Sequence, residues 1–102
     1  MKKIIEGKVY NTDTAKELGS WDNGYIMGDF DWCSETLYKK RTGEFFLFGE
    51  GGARSKYSKC EGDGNSWTGG EDITPLSEKN AKKWAEERLK ADEYLAIFAA
   101  EE

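Results

Sequence analysis

Eight consecutive residues, Gly49-Glu50-Gly51-Gly52-Ala53-Arg54-Ser55-Lys56, form the one stretch of this sequence that could cradle an anion. Consecutive glycines expose backbone N–H groups, so Gly51 and Gly52 with Arg54 and Lys56 would offer amides and positive charge to a phosphate or carboxylate. The run is no nucleotide fingerprint. It lacks both GxxxxGK[ST] and GxGxxG, opens no evident helix, and carries Glu50 where phosphate would be repelled. A glycine turn that reverses a strand accounts for the same residues.

Catalytic chemistry is poorly supplied. The chain has no histidine, which removes the commonest general base, the commonest zinc ligand and every Ser-His or Cys-His nucleophile. Cys33 and Cys60 belong to no CxxC pair, so a four-ligand zinc site would need carboxylates or a second chain. Paired carboxylates could serve a glycosidase, but pairs come cheaply among 20 acidic residues, and 102 residues leave little room for a sugar cleft. No catalytic residue, metal or cofactor is expected, and the reading is of a protein that binds rather than catalyses.

Charge points to where binding would occur. Residues 17–38 carry five acids (Glu17, Asp22, Asp29, Asp31, Glu35) and no Lys or Arg, interleaved with Trp21, Tyr25, Phe30 and Trp32. Residues 39–59 reverse the balance, with six bases (Lys39, Lys40, Arg41, Arg54, Lys56, Lys59) against Glu44 and Glu50. Rings supply contact area at protein interfaces, and carboxylates steer toward a basic partner. Glu17, Trp21, Asp22, Tyr25, Asp29, Asp31 and Glu35 are therefore the candidate partner-binding residues. The competing reading is that the rings are core, with Phe30 and Trp32 buried and Trp21 or Tyr25 more exposed.

At 102 residues the chain is read as a single domain, residues 1–102, with one core. A net charge of -5 disfavours a sequence-independent grip on nucleic acid, which needs clustered Lys and Arg, and suits docking onto a basic surface. Mild acidity also serves solubility alone. The opening Met1-Lys2-Lys3-Ile4-Ile5-Glu6-Gly7 has too short an apolar run for a signal peptide or membrane span. The expected setting is a cytoplasm, with Cys33 and Cys60 as reduced thiols and the chain a monomer or homodimer.

The elements that must position these residues follow from pattern. Lys3–Tyr10 reads as a first strand, and Asn11 to Thr14 offer capping oxygens to a short helix over Ala15–Leu18 that Gly19 stops. Residues 20–31 read as turns around Asn23-Gly24 and Gly28. Trp32–Lys40 and Glu44–Glu50, joined by Arg41-Thr42-Gly43, predict a hairpin whose second arm is apolar on both faces and hence central. Ala53–Lys59 is a candidate further strand, Cys60–Gly70 an irregular Gly-rich loop, and Glu71–Leu76 an edge segment marked by Pro75. Ser77 opens a helix with Ala81, Trp84, Ala85 and Leu89 on one face, and Asp92 caps a last helix over Glu93–Ala100. The fold expected is α+β: a small antiparallel sheet of about four strands packed against a C-terminal helix pair, with one short N-terminal helix.

Several segments together resemble a family of small acidic proteins carried on plasmids, conjugative elements and prophages of gut bacteria. They are Gly7-Lys8-Val9-Tyr10-Asn11-Thr12-Asp13-Thr14-Ala15, Leu37-Tyr38-Lys39, Gly43-Glu44-Phe45-Phe46-Leu47, Gly49 to Tyr57, and Ile73-Thr74-Pro75-Leu76-Ser77 with Ala81 and Trp84. These are mainly turn and core residues, so the resemblance implies a shared fold. Small acidic proteins of such elements resemble anti-defence factors, which implies an anti-CRISPR protein that binds a type II effector nuclease and blocks nucleic-acid loading or cleavage. The alternatives left open are a small-ligand or nucleotide-binding accessory protein using Gly49–Lys56, and a homodimeric interaction module.

Overall fold

Phe45-Phe46-Leu47-Phe48 can only be satisfied by apolar cover on both sides, and a computed structural model, which describes residues 1–62 and 66–99, places it that way. Three strands beside it, β3 (Lys16–Asp22), β4 (Cys33–Lys39) and β8 (Gly70–Leu76), join the central β5 (Phe45–Gly51) in an antiparallel sheet of order β3-β4-β5-β8. Alternation divides the β5 side chains between two cores. Phe45 and Leu47 join Leu37 beneath Ala81, Trp84, Ala85 and Phe98 of the helical side. Phe46 joins Tyr10 and Ile73 on the other face.

The hairpin between β4 and β5 forms where predicted. Gly43 takes φ 94, and its amide donates to the Lys40 carbonyl at 2.9 Å. β8 is an edge strand, as Pro75 implies. Helix α1 (Glu78–Arg88) begins where the Ser77 hydroxyl accepts from the Asn80 amide at 3.1 Å, and it buries Ala81, Trp84 and Ala85. Helix α2 (Ala91–Ile97) starts earlier than expected and is not capped by Asp92; the Glu93 carboxylate instead accepts from the Lys90 amide at 3.1 Å. It ends at Ile97, with Phe98 already extended, short of the expected end at Ala100, which itself lies outside the described residues. Among the described residues no helix is long and apolar enough to cross a membrane.

Four local expectations are corrected. The first strand is a hairpin, β1 (Lys2–Ile5) and β2 (Lys8–Asn11), because Glu6 and Gly7 both adopt positive φ, 51 and 79, the pattern of a tight two-residue hairpin turn. There is no N-terminal helix. The capping oxygens of Asn11 hold a single turn, with the Thr14 and Ala15 amides on its carbonyl at 3.3 and 3.1 Å. Residues 16–22 pair with β4 instead, since two turns of helix are marginal in water and the strand packs Leu18 and Trp21 against the helical core. Of the expected strand Ala53–Lys59, residues 53–58 are a succession of turns, the Ser55 amide donating to the Gly52 carbonyl and the Ser58 amide to the Ser55 carbonyl at 3.0 and 3.1 Å. Part of the stretch expected to be irregular is paired, β6 (Lys59–Glu61) with β7 (Ser66–Thr68); residues 63–65 between them lie outside the described residues.

Candidate functional site

Between β3 and β4 the chain crosses one end of the sheet in a loop, residues 23–32, whose backbone is held in part by hydrogen bonds from its own side chains. Asn23 holds its base: its amide donates to the Cys33 carbonyl at 3.0 Å. Its side chain donates to the Asp31 carbonyl at 2.7 Å and accepts from the Cys33 amide at 3.1 Å. Asp22 accepts from the Gly24 amide and Asp29 from the Asp31 amide, each at 2.8 Å. Gly24 and Gly28 supply the left-handed bends, φ 88 and 100. The loop is stitched to the turn after β5, with the Gly52 amide on the Trp32 carbonyl at 2.9 Å and the Arg54 amide on the Phe30 carbonyl at 2.8 Å. Contact is so close at Gly52 that a Cβ there would lie 2.3 Å from the Asp29 carbonyl oxygen.

A loop fastened in this way turns its apolar side chains outward. Tyr25, Ile26, Met27 and Phe30 are 51%, 79%, 76% and 63% exposed, and Trp67 of β7 is 58% exposed. Phe30 and Trp67 line one hollow of about 320 Å³ together with Gly52 and Ala53. Phe30, expected in the core, is thus at the surface with the Arg54 guanidinium 5.5 Å from its ring centre. Trp32 is half-buried.

Next to this loop the register builds an acidic row. Asp22 stands across from Ser34, Ser34 from Glu50, and Glu50 from Glu71. Directly opposed residues share a face of the sheet, and opposed like charges repel; Glu50 and Glu71 form such a pair, and neither makes an ion pair among the described residues.

Of the expected partner-binding residues, the structure brings together Asp22, Tyr25, Asp29 and Asp31 at this end of the sheet. Glu17 is exposed on β3 but lies at the far end, opposite Tyr38. Trp21 is half-buried beneath Arg88, whose guanidinium lies 3.9 Å from its ring centre. Asp31 is paired with Arg54 at 3.2 Å. Missed by sequence reasoning were Ile26, Met27 and Trp67 as surface groups; their signal was apolar side chains in turn-rich, Gly-flanked sequence with no strand or helix period to bury them.

Glu35 is the clear correction, because it is 1% exposed and cannot meet a partner. Its carboxylate accepts from the Tyr57 hydroxyl at 2.5 Å, the Lys56 ammonium at 2.6 Å and the Trp84 indole N–H at 3.2 Å. Burial pushes this carboxyl up, but the three donors together outweigh burial and hold it below its ordinary value. Burial and the Glu35 carboxylate both push the Tyr57 hydroxyl up. Lys56 and Arg54 are thereby committed to Glu35 and Asp31. The amides of Gly52, Arg54 and Ser55 are donated to carbonyls. Gly51 sits in the ladder between Cys33 and Gly70. The expected anion cradle of Gly51, Gly52, Arg54 and Lys56 is therefore a closed turn that locks onto a buried acid. Cys33 is buried and Cys60 exposed, both as free thiols. Comparison with known protein families, curated proteins and solved structures gives no match.

Proposed function

We propose that the chain is a non-enzymatic binding protein that docks through loop 23–32 and Trp67 onto a protein with a basic surface. The observation that carries this reading is the exposure of Tyr25, Ile26, Met27, Phe30 and Trp67 at one end of the sheet. Apolar side chains clustered on a surface and rimmed by polar groups mark interaction sites, and aromatic anchors dominate binding energy where they occur. The flanking Asp22, Glu50 and Glu71 would steer the encounter toward positive charge. A loop already held by its own hydrogen bonds loses little freedom on docking.

The resemblance to proteins of mobile elements selects the partner to test. On that reading the chain is an anti-CRISPR inhibitor acting in a bacterial cytoplasm, with a type II effector nuclease as its target and the nucleic-acid groove as the basic surface. Purified chain would be titrated against such effectors with and without guide RNA, and cleavage of target DNA followed. A complex is expected, with inhibition of cleavage; Phe30→Ala and Trp67→Ala should each weaken it by about tenfold or more. Absence of binding together with undiminished cleavage would overturn the reading.

A further inference from the structure

The opposite end of the sheet gathers positive charge. Lys16 of β3 stands directly across from Lys39 of β4, and the chain continues through Lys40 and Arg41 into the hairpin turn. Opposed like charges on adjacent strands cost folding energy, and among the described residues the pair is offset only by the Phe45 ring, 5.4 Å from the Lys39 ammonium, and by Glu78, which lines a neighbouring hollow with both lysines. Lys40 lies 3.5 Å from Glu44, but Glu44 is shared with Lys8 at 3.1 Å. Lys16, Lys39 and Arg41 make no ion pair among the described residues. Between the Asn11 turn and the hairpin lies a cleft of about 350 Å³ lined by Thr14, Ala15, Lys16, Lys39, Lys40 and Arg41. An adjoining hollow of about 270 Å³ shares Thr14, Ala15, Lys40 and Arg41 and extends it toward Val9.

We propose that this cleft binds a short oligophosphate, the cations of Lys16, Lys39 and Arg41 closing on successive phosphate groups. An anion placed between Lys16 and Lys39 turns their repulsion into two attractions, and the Arg41 fork suits bidentate contact with phosphate oxygens. No aromatic residue is among those lining the cleft or its extension, and the rings that Lys40 and Lys39 overlie, Tyr10 and Phe45, are 5% and 8% exposed, so no stacking platform for a base is offered and recognition rests on phosphate. The net charge of -5 and the acidic row at the other end oppose a long nucleic-acid track and favour a short ligand. Inorganic tripolyphosphate, a nucleoside triphosphate and the end of a nucleic acid share this chemistry. The proposal stands apart from the docking surface and does not depend on it.

Two-dimensional amide NMR of the whole chain at low ionic strength tests it, with tripolyphosphate, ATP and a short oligothymidylate as probes. Tripolyphosphate and ATP should shift Thr14–Lys16 and Lys39–Thr42 with affinities within about threefold of each other, because the base is not read. Tighter binding of the oligothymidylate at the same amides would assign a nucleic-acid end as the source, and weaker binding a free oligophosphate. The Lys16→Gln/Lys39→Gln double variant and the separate Arg41→Gln variant should each lose about tenfold or more in affinity. Arg54→Gln should lose none. Without ligand, the double variant should melt no lower than the wild type, since a repulsion has been removed. Lack of any shift, shifts centred on Arg54 and Lys59, or undiminished affinity in both cleft variants would overturn the proposal.

Discussion

Glu35 and loop 23–32 lie next to one another on the same stretch of chain and use polar groups in opposite ways. At Glu35 three donors from the turn after β5 and from α1 converge on one acid and take it out of water. In the loop, Asp22, Asn23 and Asp29 turn their oxygens back onto amides, and the apolar side chains are left outside. The first arrangement binds three segments of the fold together, and the second spends its hydrogen bonds on holding a surface ready. Residues that hold the fold and residues proposed for contact should therefore be separable here by mutation.

The largest effect should come from Glu35→Ala. It strands the buried Trp84 N–H and the Tyr57 hydroxyl and removes the partner of Lys56, so a loss of about 3–5 kcal/mol is expected in denaturant unfolding. A loss near that of an exposed carboxylate would break the comparison. Acid unfolding should separate the same residue by charge. Because the folded state holds the Glu35 carboxyl below its ordinary value, its contribution is present above the unfolded pKa and disappears as pH falls through the folded one. Stability should accordingly drop below about pH 4, and the drop should be shallower in Glu35→Gln. The smallest effect belongs to the loop. Ile26→Ser with Met27→Ser should change unfolding free energy by no more than about 0.5 kcal/mol, as for other exposed positions. A larger loss would show that these side chains pack within the fold and are not free for a partner.

Much of the architecture was legible because it rests on local chemistry. Arg41-Thr42-Gly43 marked the central hairpin, Ser77 marked the start of α1, and the unbroken apolar run from Phe45 to Phe48 announced a strand covered on both faces. Lys16–Asp22 was not legible as a strand. Its capping residues and Ala15 favour helix locally, and only pairing with β4 and cover for Leu18 and Trp21 decide the matter. Glu35 was misread because composition counts an acid as surface. The alternation Cys33, Glu35, Leu37 would have placed it on the apolar side of β4, and all three are buried. The rings of loop 23–32 were anticipated as a group, but which faced water depended on hydrogen bonds from Asn23 and Gly52 that no spacing rule encodes.

Both rims of the sheet are blunted. β3 carries a register irregularity between Glu17 and Gly19, and a Cβ at Gly19 would lie 2.8 Å from Leu89. β8 carries Pro75, which has no N–H to donate. Irregular or proline-bearing rims resist pairing with strands from other molecules. Strand addition is thereby disfavoured at either rim, so a partner that docks as proposed would seat on the end of the sheet and not extend it.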